Sequence, residues 1–492
     1  MNYLAQSLEQ NAELYGIEPR FFEYQNGQQT KSFSWKQIRD KTLRIAAKLQ
    51  TEKPGSIIIA ALNNRVEMFC SILGGILADQ WILPLPSELP EAKLKSIIKD
   101  LPVKQAIAEQ SVVDCLKSQI PDSWNPDSIT STLDQKIAYQ IKEIEKGSLL
   151  LQSSGTTGAP KIARRNIDAL IADGNNCVNA VGIKSTDRMI SVLPLYHSYG
   201  IDHVILAVTF SGCSLEIHDR FIPSVVRKAL EEDRINIMPA VPLMVDALSR
   251  GFTPTLETQN LRQIYTAGSP LPKSVAQVFK QNYGIGISQI YGASEFGSVT
   301  FNDSNKNPYD PESVGLPMNG VQVKVLDRDN PDFNNPLPIG AKGQVAISAP
   351  SMMIEYIDNP TKPNEDNFIL TGDLGYLDSL GRLYITGRVK LLIDVAGLKV
   401  NPLEVEAVLT SHPAVKDAIV IPIHYSKTAS RLKAIIVPKE DNIVNKGDLQ
   451  KFAGEHLIHY KVPRVFEICK TVPRSPTGKI LRQELISSQL KK

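Results

Sequence analysis

Residues 150–161 read LLQSSGTTGAPK: an apolar run, then two serines, two threonines and two glycines within six positions, then a lysine. Gly155 and Gly158 let the backbone turn tightly, so that amides of the segment converge on an anion. The hydroxyls of Ser153, Ser154, Thr156 and Thr157 add short donors, and Lys161 adds a mobile positive charge. The chemistry this suits is the cradling of phosphate groups. A Walker A loop is excluded, because that motif needs four residues between its glycines and a Ser or Thr after the lysine. Here there are two, and Ile162 follows. A polar surface turn is the plain alternative. Eight small or polar residues directly after a buried strand argue against it, since ligand loops sit at strand ends.

Other groups with chemical potential are scattered along the chain. In Tyr291-Gly292-Ala293-Ser294-Glu295, the carboxylate of Glu295 could hold a divalent cation, Ser294 could donate to a phosphoryl oxygen, and Tyr291 could cover a flat ring. Taken alone, this is a short pattern, and Tyr291 fits a core equally well. Asp373 in Thr371-Gly372-Asp373 reads by itself as a turn former. Lys479, in PRSPTGKI at 473–480, reads as solvated surface, and His197, in PLYHSYG at 194–200, as a satisfied neutral histidine.

The elements that must position these groups follow an α/β pattern. Residues 35–49 carry apolar side chains near helical period, Ser56–Leu62 is a short apolar run ending in two asparagines, and Val66–Leu77 reads as a helix. Helices are expected over 225–234, 243–248 and 273–279, and strands over 235–238, 261–267 and 285–291, which puts the Tyr291 motif at a strand end. Val321–Leu326 and Gln344–Ile347 belong to a more irregular sheet, and Tyr376–Ile385 reads as a hairpin turning at Asp378–Gly381. A helix begins at Asn401 as N-cap, with Pro402 at its first position and Glu404 as capping-box partner.

At 492 residues the chain exceeds a single hydrophobic core. Its composition, 42% hydrophobic and 22% charged, excludes an intrinsically disordered protein. With 54 basic against 52 acidic residues it lacks the charge of a nucleic-acid binder. From Leu391 to the end there are 16 Lys and Arg against 10 Asp and Glu, so a small basic module follows a slightly acidic region. The five cysteines match no zinc spacing or disulfide framework and are expected to be buried thiols of a cytoplasmic protein. No run reaches membrane-spanning length, and the first residues lack a signal-peptide pattern.

In order along the chain, SSGTTGAPK (153–161), PLYHSYG (194–200), YGASE (291–295), TGD (371–373), GRVKLLIDVAGLKVNPLEVE (387–406) and PRSPTGKILRQEL (473–485) closely resemble the adenylate-forming superfamily of acyl-CoA synthetases, aryl-CoA ligases, luciferases and peptide-synthetase adenylation domains. The resemblance covers the whole chain. It implies an α/β fold: a large N-terminal region, residues 1–389, of α/β subdomains plus an irregular β subdomain, and a small mobile α+β C-terminal domain, residues 390–492. It also implies a two-step ligation, in which a carboxylic acid and ATP give an acyl-adenylate and pyrophosphate, and the acyl group then passes to a thiol.

By the same resemblance, the 153–161 loop wraps the β- and γ-phosphates, Tyr291 and Gly292 lie against adenine, Ser294 contacts phosphate and Glu295 holds Mg²⁺. Asp373 grips the ribose hydroxyls and Arg388 reaches the ribose or phosphate side. Lys479 sits between the substrate carboxylate and the α-phosphate. Lys390 matches the hinge, and Gly397 lets the 395–399 backbone approach a pantetheine tunnel in the second step.

The sequence departs from the family pattern at Ile162, usually glycine, which with Ala163, Arg164 and Arg165 stiffens the loop's exit. Amino-acid activators carry an aspartate where this chain has His197, and an unpaired ammonium in a pocket is costly. Tyr196 and His197 therefore point to an aryl or short-to-medium acyl acid, with Ala240, Val241, Ala267, Gly268 and Gly292 as small pocket walls. The acceptor is coenzyme A or the phosphopantetheine of an acyl carrier protein. Two alternatives remain open: an adenylate-forming enzyme with another second step, stand-alone or luciferase-like, and a non-catalytic nucleotide-binding protein.

Overall fold

A computed structural model describes residues 3–128, 144–152, 161–232, 234–250, 260–357, 363–364, 366–395, 398–426, 429–439, 444–475, 478 and 480–489. The chain divides into two compact units, one from residues 1–154, 160–322 and 348–368, the other from 323–347 and 369–492. Position 389/390, the expected boundary, lies within the second unit.

The first unit is built on two sheets. One has seven strands in the order Glu355–Tyr356, Ile162–Asn166, Ser148–Gln152, Trp81–Pro86, Ile57–Leu62, Val103–Ala108, Ser123–Trp124. The other has nine, with Leu316–Pro317, Gly297–Asn302, Ser288–Ala293, Gln263–Thr266 and Ile237–Ala240 at one end and the hairpin Pro19–Gln25/Gln28–Ser34 at the other. Their central strands pair in parallel. Such strands are covered on both faces and therefore read as near-continuous apolar runs, as Ile57–Leu62 does. The helix Val66–Leu77 is buried on every side, and its apolar residues share one core with residues of both sheets. A helix so largely apolar belongs in a core, and its one charged residue, Glu67, is paired there with Lys41 and Arg65. Phe21, Trp35 and Phe69 meet edge to face in that core, with ring centroids 4.7 and 5.2 Å apart.

The second unit holds a four-stranded antiparallel sheet, Gln322–Leu326, Gly343–Ser348, Ile369–Leu377 and Leu383–Arg388, and a three-stranded sheet of Val415–Ser426, Ala429–Pro438 and Val465–Ile468. The helices Pro402–Thr410 and Lys446–His456 pack on the latter through Val405, Leu409, Leu449 and Ala453.

Several expected bounds shift. The expected 225–234 helix runs Pro223–Glu231, because Pro223 suits the first helical turn. The strand expected at 235–238 is Ile237–Ala240, and the one expected at 261–267 shortens to Gln263–Thr266. The strand expected at 285–291 is Ser288–Ala293, so Tyr291 lies inside it rather than at its end. Asn401 caps its helix by accepting from the Leu403 amide, but Glu404 pairs with Lys461 instead of closing a capping box. All five cysteines are free thiols; Cys70, Cys177 and Cys213 are buried, whereas Cys115 and Cys469 are partly exposed.

The helix Trp35–Leu49, which carries Trp35 into the core, starts with a full capping box between Ser34 and Gln37. Ser34→Ala should lower stability by about 1 kcal/mol in denaturant unfolding, and Ser34→Asp should retain most of it.

Candidate active site

Strands Ser148–Gln152 and Ile162–Asn166 pair antiparallel, with Gln152 opposite Ile162. The segment that joins them, residues 153–160, lies outside the described residues; Lys161 is within them. Its ammonium stands 4.7 Å from the centre of the Tyr356 ring. The hydroxyl of Tyr356 donates to Glu295 Oε1 at 2.9 Å, and the backbone carbonyl of Glu295 accepts from the Met353 amide. Ser294 donates to Ser198 Oγ at 3.3 Å, which brings the Tyr291 motif against the His197 segment. His197 caps the short turn that follows it, its Nδ1 accepting from the Tyr199 amide. The strip Tyr291–Glu295 reaches solvent at the end of an otherwise buried strand. Gly292 is required there because a Cβ would come within 2.4 Å of the Gly297 carbonyl oxygen across the hairpin. Of the expected pocket walls, Ala240, Val241 and Ala267 are buried, while Gly268 and Gly292 are exposed.

Beneath this strip runs a buried polar network. Arg165, fully buried, pairs with Asp173 at 2.5 Å and with Asp202 at 3.1 Å, and donates to the Ser351 carbonyl. Burial works against its charge, but Asp202 and Asp173 outweigh burial and hold the guanidinium above its ordinary pKa. Burial, with help from Asp173, pushes Asp202 well above the carboxylate range despite Arg165. Asp173 accepts from the Ser298 amide just beyond the Tyr291 strip, and Ser298 Oγ lies 2.7 Å from His203 Nε2. Burial drives His203 down to about 4, against a smaller opposing pull from Asp173. Cys177, 3.4 Å from the same nitrogen, is pushed up by burial and by Asp173 and Asp202, and is an inert thiol. Arg164 pairs with Glu355. The two arginines after the loop thus bond to named partners of other segments, where the sequence indicated only a stiffened exit.

In the second unit Asp373 and Arg388 face each other across adjacent strands, and Arg388 Nε donates to Asp373 Oδ1 at 2.6 Å. Asp373 is a buried strand residue, not a turn former. Gly372 before it has φ +75°, open to glycine without strain. Lys390 is exposed on the single turn Val389–Leu391. Gly397 and Lys479 lie outside the described residues, but the chain on both sides of Lys479 is tethered. Arg474 donates to the Gly478 carbonyl and to Asp417, both at 2.8 Å. Arg482 donates to both Glu406 oxygens and to the Val420 carbonyl, and Ile480 packs against Ile419, Ile421 and Ile435.

Sequence reasoning missed Tyr356, Asp173, Asp202, Ser198 and the arginine tethers as contributors. Ser198 sits inside a motif already singled out. Tyr356 lies 61 residues from Glu295 with no local pattern to mark it, and pairing of Glu355–Tyr356 with Ala163 and Arg164 brings it to the site.

The family pattern of AMP-binding enzymes matches residues 8–357, and that of their C-terminal domain matches residues 404–479. The chain is 26% identical over 493 residues to 4-coumarate–CoA ligase 1 of Petroselinum crispum, covering 94% of this chain and 90% of that protein. It is 27% identical to 4-coumarate–CoA ligase-like 6 of Arabidopsis thaliana, covering 88% and 81%. Its fold is similar to that of ATP-bound MatB from Rhodopseudomonas palustris, with a TM-score of 0.88, 22% identity and 99% of each chain covered. It is also similar to o-succinylbenzoate CoA synthetase (MenE) from Bacillus subtilis bound to its acyl-adenylate, with a TM-score of 0.84, 24% identity and 97% of each chain covered. Among the described residues, no helix is long and apolar enough to cross a membrane.

Two measurements check the buried network. Arg165→Met leaves the buried Asp173 and Asp202 without their guanidinium partner and should cost about 3–5 kcal/mol in denaturant unfolding. His203 titrates near 4 when folded and near 6.5 when free. The unfolded chain therefore takes up this proton first, and the stability due to neutral His203 is complete above pH 6.5 and lost as pH falls to 4. Between pH 7 and pH 4 the wild type should lose about 3 kcal/mol relative to His203→Gln. A pH-independent difference between the two proteins would contradict the neutral imidazole.

Proposed function

The chain belongs to the adenylate-forming family of AMP-binding enzymes, and from that premise we propose that it is a carboxylic acid–thiol ligase. Its chemistry is ATP-dependent adenylation. In the proposed sequence a carboxylate oxygen attacks the α-phosphorus of ATP, and the bond to pyrophosphate breaks. A thiolate then attacks the acyl carbon, forming a thioester and releasing AMP.

The observation that carries this reading is the meeting of the His197 and Tyr291 motifs through Ser198 and Ser294, beside the Glu295–Tyr356–Lys161 contacts. One strip thus presents hydroxyl donors, a carboxylate and an ammonium, as a polyphosphate and its counter-ion require. Glu295 Oε1 is taken by Tyr356, while Oε2 makes no hydrogen bond or ion pair with a described residue. No group of three or more His, Cys, Asp or Glu suited to a metal occurs among the described residues. A single open carboxylate oxygen fits Mg²⁺, which binds through one or two carboxylates together with substrate phosphates. Mg²⁺ held by Glu295 would neutralise phosphate charge.

The roles of the other residues follow the family pattern. Ser153, Ser154, Thr156, Thr157 and the backbone at Gly155 and Gly158 bind the outer phosphates with Lys161. Tyr291 stacks on adenine at Gly292, and Ser294 donates to phosphate. Asp373, oriented by Arg388, accepts from the ribose hydroxyls. Lys479 offsets the repulsion between the entering carboxylate and the α-phosphate. Lys390 is the pivot between the two steps, and Gly397 gives the thiol arm close backbone passage.

The proposed acid is a small aryl or short-to-medium acyl acid. The buried carboxylate five residues beyond His197, Asp202, is already engaged by Arg165 and does not offer itself to a substrate ammonium. Relatives named for coumarate, and solved structures named for o-succinylbenzoate and anthranilate, favour an aryl acid. The acceptor is coenzyme A or a carrier-protein phosphopantetheine. An amide bond synthetase from Marinactinospora thermotolerans with a TM-score of 0.85 favours an amine as the second reading for the acceptor.

Acid-dependent pyrophosphate exchange over a panel of aryl, fatty, hydroxy and amino acids tests the first step, followed by coenzyme A, carrier proteins and amines as acceptors. Aryl acids should support exchange and a thiol should capture the product; ATP binding without exchange by any acid would leave only a nucleotide-binding protein. Lys479→Ala should slow adenylation by about two to three orders of magnitude while sparing thioester formation from supplied acyl-adenylate. Equal loss in both half-reactions would remove Lys479 from its first-step role.

A further inference from the structure

Lys161 and Glu295 bear opposite charges on the same strip, yet among the described residues no ion pair joins them. Tyr356 contacts both. Its ring face carries the Lys161 ammonium at 4.7 Å from the centroid, and its hydroxyl donates to Glu295 Oε1 at 2.9 Å. Few side chains can do this. An aromatic face attracts a cation through its quadrupole, and a phenol hydroxyl at the ring's edge donates to a carboxylate.

The chain around Tyr356 is held from three directions. Tyr356 stands opposite Ala163 in the strand pair just beyond the phosphate loop, and the amides of Ile354 and Ile357 donate to the carbonyls of Arg164 and Ile162. The Met353 amide donates to the carbonyl of Glu295 itself. The side chain of the preceding residue, Glu355, pairs with Arg164 at 2.8 Å. Tyr356 is thus almost buried and set in register with both charged groups. A lysine and a carboxylate that paired with each other would be less available to phosphate and to a cation.

We propose that Tyr356 is a positioning residue for the polyphosphate end of the nucleotide site, holding Lys161 and Glu295 apart so that each meets its own partner, phosphate for the lysine and Mg²⁺ for the carboxylate. The proposal rests on the adenylation reading above and adds a residue and a division of labour to it. The hydroxyl serves the Mg²⁺-dependent part of ATP binding, and the ring serves the part that depends on Lys161.

Equilibrium binding of ATP and of AMP to the full chain, with Mg²⁺ and with EDTA, separates these contributions without turnover. Tyr356→Phe should weaken ATP binding in Mg²⁺ about tenfold, the effect of one charge-assisted hydrogen bond, and leave ATP in EDTA and AMP unchanged. Tyr356→Leu should in addition weaken ATP binding in EDTA about threefold, again sparing AMP. Phenylalanine would thereby rescue the lysine-dependent part and not the Mg²⁺-dependent part. Wild-type ATP affinity for Tyr356→Phe in Mg²⁺ would overturn the assignment, as would equal losses for AMP and ATP, which mark a merely structural role. If wild-type ATP binding ignored Mg²⁺, or no acid elicited pyrophosphate exchange, the adenylation reading itself would fail. Normal wild-type exchange with an unaffected Tyr356→Phe would sink only Tyr356.

Discussion

A guanidinium without access to water must find its whole charge balance inside the protein, and Arg165 finds it in two carboxylates from separate parts of the chain. Breaking such a cluster by removing one member leaves an uncompensated buried charge, whereas its intact form adds little net stability. What it adds is placement. Arg165 lies on the strand Ile162–Asn166, Asp173 on the helix Ile167–Val181, and Asp202 five residues beyond His197. The Ser298 amide and the Ser351 carbonyl complete the set. Five segments of the chain are therefore tied into one buried network, and none can shift alone without stranding a polar group.

In the first unit the strip keeps opposite charges close without joining them in an ion pair among the described residues. Glu295, Lys161 and Tyr356 form one such arrangement in the first unit. In the second unit the charges pair directly, Arg388 with Asp373, and Arg474 and Arg482 with Asp417 and Glu406 on either side of Lys479. The pattern suits a reaction whose substrates are all anions. On the proposed reading a carboxylate, a triphosphate and a counter-ion are brought together, so the charges of the strip have to stay exchangeable for ligand. The inert, fully buried charges of the Arg165 network and the partly exposed charges of the strip divide these duties between scaffold and chemistry.

Much of this was legible in the chain. The apolar run Ile57–Leu62, the helix Val66–Leu77 and the hairpin turning after Leu377 announce themselves through period and turn chemistry, which are local properties. Strand ends were less legible, because pairing partners decide where a strand stops. Ser288–Ala293 extends past Tyr291 as it pairs with Gly297–Asn302, and that extension carries the motif onto a strand edge.

The motifs at 153–161, 194–200, 291–295, 371–373 and 473–485, with their order, determined the family and the α/β class, since loops that bind phosphate and helices that start at a cap are written in adjacent residues. Only the tertiary structure decided that Arg165 is a buried anchor rather than a stiff loop exit, that Asp202 is already occupied, that Arg388 bonds Asp373, and that Tyr356 joins Lys161 to Glu295. Each of these depends on side chains from different strands and helices meeting, 15 positions apart for Arg388 and Asp373 and 61 for Tyr356 and Glu295. No local pattern encodes such a meeting, because the energy that specifies it comes from burial and charge pairing that exist only once the chain has folded.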